Sequence, residues 1–241
     1  MRRWLRPSTA VLLLGLAYVG LTLIRYDGDP LAFALVGTQY SQSDPQGTQG
    51  YDGQFAYYIA RDPASGWQYC DVPAYRYQRI LYPLAAWALA LGQPEAVGWT
   101  LIALNVAALT AGTYFTERLL AAQGASRWYA LVYGLYGGLV AGLRLDLAEP
   151  LAYGLAQAGL WAWMQQEAGS REQGAGSEWG FGVWGLGFAL LALAALAKEL
   201  GIDHKRHPGA PSIARPQHRH HLLQVTLFDP VENEPIRHAE A

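Results

Sequence analysis

Residues 96–116 read AVGWTLIALNVAALTAGTYFT and contain no charged side chain. A helix needs about 20 mostly apolar residues to cross the hydrocarbon core of a bilayer, which is about 30 Å thick. This stretch has that length, and because lipid offers the backbone no hydrogen-bond partners, a crossing segment must be helical. The stretch therefore predicts a membrane-spanning helix in the middle of the chain.

Four other apolar stretches have a similar character. They cover residues 9–24, 128–143, 147–164 and 179–197. Glu149 is the only charged residue within them. Together with residues 96–116 they predict an all-α membrane protein, a polytopic helical bundle of about five transmembrane helices within residues 1–200.

The composition agrees with a membrane protein and disfavours a nucleic-acid-binding one. Of the 241 residues, 52% are hydrophobic and 15% are charged. Glycine and the aromatic residues that favour membrane interfaces are frequent, with 27 Gly, nine Trp and fifteen Tyr. The formal net charge of −2 provides no general basic field for nucleic acid. We therefore expect the lipid bilayer as a partner, and no nucleic acid.

The first apolar stretch sets the expected orientation. Arg2, Arg3 and Arg6 precede residues 9–24, as they would in a secretory signal peptide. No small-residue cleavage site follows, which favours an uncleaved anchor. The arginines place the N-terminus in the cytoplasm, so residues 25–95 are predicted to form a large extracytoplasmic loop.

Residues 80–92 are apolar but short for a span, which is typical of an interfacial or re-entrant helix. If they do not cross, Asp52, Asp146 and Glu149 all face the outside. If they do cross, every later segment is inverted. The distribution of arginines and lysines hardly discriminates between the two topologies, so the short length carries the preference for an interfacial helix.

The C-terminal segment, residues 201–241, differs from the rest of the chain. It is polar and proline-rich, and it holds all six histidines. Such a composition predicts a disordered tail. A metal site at its histidines is disfavoured because no Cys or carboxylate stands at ligand spacing. The abrupt change suggests a shifted reading frame or a replacement for further membrane helices.

Three polar and aromatic motifs lie between the apolar stretches. GYDGQFAYYIARDP occupies residues 50–63, YRYQRILYPL occupies residues 75–84, and RLDLAEPLAYGL occupies residues 144–155. Ionisable residues at the ends of membrane helices are candidates for function. Asp-Gly pairs also form ordinary turns, and arginines also anchor helices at the interface. Spacing alone leaves both interpretations open.

The combination of YDGQF with YRYQRILYPL resembles the GT-C superfamily of membrane glycosyltransferases. The resemblance covers roughly residues 8–200 and is nearest to a bacterial branch implicated in cell-surface glycopolymers. It extends more distantly to the mannosyltransferases of GPI-anchor assembly. It implies a bundle of many membrane helices, an interfacial helix in a large first outer loop, and polyprenyl-phosphate sugars as donors. Members usually have more spans than are predicted here, which implies a truncated chain.

The same resemblance assigns roles to individual residues. The catalytic centre of the superfamily is an acidic residue in the first outer loop, which corresponds to Asp52 as general base. A second outer acid corresponds to Asp146 or Glu149. Aromatic and polar side chains are expected to face the sugar, and arginines to bind the departing phosphate. These substrate-binding candidates are Tyr51, Gln54, Tyr57, Tyr58, Arg76, Arg79 and Arg144. The rival carboxylates in the same loop are Asp27, Asp29 and Asp71.

The expected function is transfer of a sugar from a polyprenyl-phosphate donor to a cell-surface glycan or lipid acceptor. The expected location is the extracytoplasmic face of a bacterial inner membrane, crossed several times. A divalent cation held by Asp52 with Asp146 or Glu149 is compatible with these residues, although no cluster requires one. The alternatives are a catalytically inactive truncated membrane protein or partner subunit and, less favoured, a lipid-linked sugar transporter. A transporter would be expected to show internal repeats and helices broken near mid-membrane, and the sequence indicates neither.

Overall fold

The computed structural model describes residues 6–173, 187 and 189–194. Within these residues every regular element is helical and no strand forms, so the predicted all-α class is confirmed. Residues 187 and 189–194 are helical and lie inside the predicted helix 179–197. The rest of that prediction and the predicted tail 201–241 lie outside the described residues.

Ten α-helices follow one another along residues 6–173. They are α1 (Pro7–Arg25), α2 (Leu31–Ala34), α3 (Thr38–Ser41), α4 (Gly53–Arg61), α5 (Pro73–Arg76), α6 (Leu81–Leu89), α7 (Val97–Ala122), α8 (Ala130–Gly134), α9 (Gly137–Arg144) and α10 (Glu149–Gln173). Short 3₁₀ turns lie between some of them, at Gly66–Tyr69, Tyr77–Arg79, Pro94–Ala96 and Arg127–Tyr129.

Among the residues that the structure describes, two helices are long and apolar enough to cross a membrane. They are Pro7–Arg25, with a mean hydropathy of 1.9, and Pro94–Ala122, which joins a 3₁₀ turn to α7 and has a mean hydropathy of 1.4. Only 33% of the first is buried against other helices, and its Leu21 and Ile24 are 68% and 79% exposed. A helix that is apolar on its outer face as well as its inner one is typical of a lipid environment.

The predicted continuous helix over residues 128–143 is divided in the structure. It becomes α8 and α9, of five and eight residues, with Leu135 and Tyr136 between them. Glycine is a poor helix former, and Gly134, Gly137 and Gly138 surround the break. At Gly134 an added Cβ would overlap Val11 and Thr113, so close packing against α1 and α7 occurs where the helix ends.

The helix within residues 80–92 is short, as the apolar pattern predicts. It runs from Leu81 to Leu89, which is about 14 Å at 1.5 Å per residue. A single helix of that length does not cross a hydrocarbon core of about 30 Å. Two residues with positive φ end it, Leu91 at 53° and Gly92 at 71°.

Helix α7 lies at the centre of the packing and contacts α1, α4, α6, α8, α9 and α10. One apolar cluster joins it to α1 and α9, through residues that include Val11, Ile102 and Leu143. A second joins it to α6, through residues that include Ala86 and Leu101. Close approach of neighbouring helices to α7 depends on small residues, as it does in many membrane helix pairs.

We predict that Gly154→Ala destabilises the fold and that Gly20→Ala does not. Both glycines are helical, so alanine raises helix propensity by roughly 1 kcal/mol at each position. A Cβ at Gly154 would lie 2.8 Å from the carbonyl oxygen of Ala108 and push α10 away from α7, whereas a Cβ at Gly20 meets nothing within 4 Å. Overpacking of this kind costs about 1–3 kcal/mol. Thermal unfolding in detergent measures the difference, and equal midpoints for the two variants would contradict this packing.

Candidate functional site

Gly53 brings two of the predicted site segments together. A Cβ on Gly53 would overlap the carbonyl oxygen of Leu145, so the start of α4 rests directly on the chain that leads to Asp146. Only glycine permits this approach, because it has no side chain. The contact places Asp52 and Asp146 at one cavity, although 93 residues separate Gly53 from Asp146 in the sequence.

Asp52 directs its carboxylate away from the helix that follows it. It occupies the N-cap position of α4, where an aspartate often accepts a hydrogen bond from the helix backbone. Its side chain makes no such cap. Both oxygens instead meet Arg76, with Oδ2 at 2.9 Å from Nη1 and Oδ1 at 3.1 Å from Nη2. The side chain of Asp52 is 47% exposed and is therefore reachable from solvent.

Asp71 holds the other edge of the same guanidinium. Its Oδ1 lies 2.8 Å from Nε of Arg76, and its Oδ2 lies 2.8 Å from Nη2. The guanidinium also lies over the ring of Phe55, 4.1 Å from its centroid, and the Arg76 side chain is only 10% exposed. Arg76 therefore makes bidentate contacts with two carboxylates, the strongest geometry available to an arginine. We call Asp52, Asp71 and Arg76 the arginine clamp.

The clamp stabilises the charged forms of Arg76 and Asp71. Burial by itself lowers the pKa of Arg76, but hydrogen bonds and charges from Asp71 and Asp52 outweigh it and raise that pKa above its usual value. The hydrogen bond from Arg76 lowers the pKa of Asp71 despite the opposing effect of burial. Arg76 was predicted to contact a substrate phosphate, and in this structure carboxylates occupy both of its edges.

A small cavity collects four of the predicted site residues. It has a volume of about 40 Å³ and is lined by Asp52, Arg76, Arg79 and Asp146, with Tyr82 and apolar side chains around them. This volume holds a few water molecules at most. Arg79 is also bonded to a neighbouring side chain, since its Nη2 donates to the Tyr75 hydroxyl at 2.7 Å. The cavity thus combines acidic and basic groups that the sequence places in three separate motifs.

Asp146 is fully buried at this cavity and has an uncommon backbone conformation, with φ of 48°. Neither of its carboxylate oxygens has a hydrogen-bond partner within the described part of the chain. Burial raises the pKa of Asp146 well above its ordinary value, and the nearby Asn105 amide and Arg144 charge only partly oppose this effect. Burial therefore favours the protonated form of the Asp146 carboxyl group.

Sequence reasoning missed two polar residues behind the cavity. Tyr82 is fully buried, and its hydroxyl donates to the carbonyl oxygen of Leu101 at 3.2 Å. Asn105 is also fully buried and donates to the Tyr82 hydroxyl at 2.7 Å. The available signal was an asparagine in the otherwise charge-free stretch 96–116, because such a side chain needs a partner inside a helical bundle.

Several predicted substrate contacts instead brace the surrounding fold. Gln54 is 1% exposed, accepts from the Gly37 amide at 3.1 Å and donates to the Gln49 carbonyl at 2.7 Å. Arg144 donates to the Ala32 carbonyl at 2.8 Å. Both residues hold backbone in place because a loop folded back on itself leaves peptide groups that need partners. Neither lines the cavity within the described residues.

The predicted tyrosines are spread around α4 and do not form one surface. Tyr58 is buried and stacks on Tyr69 with 4.6 Å between ring centroids. Tyr57 packs against the cluster that joins α6 to α7, whereas Tyr51 is 47% exposed beside Asp52. Of the three predicted tyrosines, Tyr51 is the one placed where a ligand at Asp52 could contact it.

Glu149 begins α10 and lies near the Tyr82 hydroxyl, whose pKa rises chiefly through burial and further through the nearby Glu149. It does not line the cavity formed by the described residues. These residues also contain no group of three His, Cys, Asp or Glu side chains that could hold a metal ion. Because both oxygens of Asp52 already contact Arg76, the donor set at the cavity does not fit a divalent cation.

Neither a known protein family, a curated protein nor a solved structure matches this chain. The roles of the cavity residues therefore rest on their own geometry and chemistry.

We predict that Asp146→Asn stabilises the fold increasingly as the pH rises. Because burial raises the pKa of Asp146, the folded state keeps a proton that the unfolded state loses above about pH 4. The stability of the wild type then falls with rising pH until the folded-state pKa is passed, whereas asparagine has no proton to lose. Unfolding midpoints from about pH 5 to about pH 8 test this expectation.

Asp44→Asn, at an exposed position, controls for the loss of one negative charge. A constant difference between the wild type and Asp146→Asn at every pH would contradict it.

Proposed function

We propose that this chain is a membrane glycosyltransferase of the GT-C type, or the N-terminal portion of one. It transfers a sugar from a polyprenyl-phosphate donor to a cell-surface glycan or lipid acceptor. One observation carries the proposal: a single cavity brings the carboxylate of Asp52 together with Arg76 and Arg79. Lipid-phosphate glycosyl transfer needs these two kinds of group, a base for the acceptor and cations for the leaving phosphate.

In the proposed reaction the acceptor hydroxyl oxygen attacks the anomeric carbon of the donor sugar. Asp52 takes the hydroxyl proton as the new carbon–oxygen bond forms. The bond between the anomeric carbon and the phosphate oxygen breaks, and its electrons leave with the polyprenyl phosphate. Arg76 and Arg79 stabilise that anion. The cavity is too small for a sugar, so the reacting groups meet at the exposed side of Asp52, beside Tyr51.

Asp146 is proposed to act as a neutral acid and not as the charged second carboxylate that was expected. Burial raises the pKa of Asp146 and so favours its neutral form, which adds no negative charge beside the incoming phosphate. It instead presents a hydrogen-bond donor at the wall of the cavity. A neutral acid at this position avoids the like-charge repulsion that two carboxylates would exert on an anionic donor.

The proposal places the enzyme in a bacterial inner membrane with a cytoplasmic N-terminus and about five spans. Support comes from the two helices long enough to cross and from the apolar outer face of α1. Helix α6 supports an interfacial position for its segment, because its Leu84 and Trp87 lie three residues apart and are 37% and 42% exposed. Such a face suits the boundary between headgroups and acyl chains.

We predict that Asp52→Asn abolishes most sugar transfer from a radiolabelled polyprenyl-phosphate sugar in purified membranes. Loss of a positioned general base lowers kcat by about 10²–10⁴-fold. Asp62→Asn is the matched control, because Asp62 is an exposed carboxylate directly after α4 that bonds Ser65 and does not line the cavity. Retention of full activity by Asp52→Asn would contradict the assignment, and an inactive wild type would favour the non-catalytic alternative.

Topology provides a separate prediction. In a Cys70→Ser background, which removes the single native cysteine, a cysteine at Tyr51 should react with a membrane-impermeant maleimide in intact spheroplasts. A cysteine at Gln123, just after α7, should react only after permeabilisation. Both positions are exposed, so accessibility to the reagent does not depend on unfolding. Labelling of position 51 only after permeabilisation would place Asp52 on the cytoplasmic face and refute the proposed site.

A further inference from the structure

We infer that binding of the donor phosphate itself releases the general base. The phosphate takes the edge of the Arg76 guanidinium that Asp52 occupies, while Asp71 retains the opposite edge. This inference rests on the proposed function and assigns Asp71 as a positioning residue, one that keeps Arg76 in place when Asp52 leaves it.

The guanidinium of Arg76 offers two distinct edges. Its Nη1 and Nη2 face Asp52, and its Nε and Nη2 face Asp71. Two phosphate oxygens fit such an edge in the same bidentate way as the two oxygens of a carboxylate. A phosphate and Asp52 are therefore direct competitors for one edge, and occupation by one excludes the other.

Asp71 is the more firmly held of the two carboxylates. Its contacts with Arg76 are both 2.8 Å, compared with 2.9 Å and 3.1 Å for Asp52. Its side chain is 29% exposed, compared with 47% for Asp52. Its Oδ1 also accepts from the Val72 amide at 2.7 Å. An incoming anion therefore displaces Asp52 in preference to Asp71.

Arg76 has reasons to stay in place after this exchange. Its guanidinium lies 4.1 Å from the centroid of Phe55, and its side chain is 10% exposed. A buried arginine that lost both carboxylates would be costly, because a buried charge needs a partner. Asp71 supplies that partner throughout, so the arginine remains oriented toward the cavity that it shares with Arg79.

The exchange couples the availability of the base to the presence of the donor. While Asp52 accepts two hydrogen bonds from Arg76, these contacts occupy lone pairs that an acceptor hydroxyl would otherwise use. Once the phosphate takes over the guanidinium, both oxygens of Asp52 become available to an acceptor hydroxyl. The same carboxylate is thus a competitor of the donor before binding and its catalytic partner afterwards.

The decisive experiment measures binding of farnesyl phosphate, which has no sugar, to the purified full chain in detergent by calorimetry. Asp52→Asn should bind the probe about 10-fold more tightly than the wild type, because a charged competitor is lost. Asp71→Asn should bind it about 10-fold more weakly, because Arg76 loses the charge-assisted bidentate contact that orients it. Asp62→Asn should leave the affinity unchanged. Uncharged farnesol should show no difference among the variants, which separates recognition of the phosphate from recognition of the tail.

Opposite shifts at Asp52 and Asp71 support the inference, since general loosening of the loop would weaken binding in both variants. Unchanged or weaker binding by Asp52→Asn would overturn it. Asp71→Glu keeps the charge and should recover part of the affinity lost in Asp71→Asn; no recovery, with unfolding midpoints unchanged, would also overturn it. Failure of the proposed function has a different signature, in which the binding shifts occur but wild-type membranes transfer no sugar.

Discussion

The close contact between Gly53 and the carbonyl of Leu145 supports everything else at the candidate site. It joins the loop after α3 to the turn between α9 and α10, two segments that are far apart in the chain. A side chain larger than hydrogen at position 53 would force them apart. With the contact in place, Asp52 follows the first segment and Asp146 the second, and both reach the same cavity.

Electrostatics then decides the state of each acid at that cavity. Asp52 is half exposed, and both of its carboxylate oxygens contact the guanidinium of Arg76. Asp146 is fully buried without a hydrogen-bond partner among the described residues, so the neutral form is favoured. Two identical side chains on the same cavity therefore have different chemistry, because one contacts a cation directly and is half exposed, whereas burial outweighs the nearby polar groups at the other. That division is the basis for proposing Asp52, and not Asp146, as the base.

The helical core that carries this site is built from small residues as well as large ones. Gly154 lets α10 lie against the backbone of Ala108 in α7, and Gly134 admits side chains of α1 and α7 where α8 ends. Van der Waals packing of this sort is the main source of cohesion between helices when lipid replaces water. The exposed leucines of α1 and the apolar face of α6 lie on the outside of the same assembly, where a bilayer would cover them.

The amino-acid sequence by itself determined the all-α class, the two helices long and apolar enough to cross a membrane, α1 and α7, and the short helix of residues 80–92. Apolar length and the need to satisfy the backbone are local properties. It also indicated Asp52, Arg76, Arg79 and Asp146 as candidate site residues, which the structure brings to one cavity. Only the tertiary structure decided how they are used. The division of residues 128–143, the bracing roles of Gln54 and Arg144, and the pairing of Arg76 with Asp52 and Asp71 all depend on contacts between distant segments. Such contacts leave no periodic signal in the sequence, since they arise from which backbone approaches which, and from how much water remains around each charge.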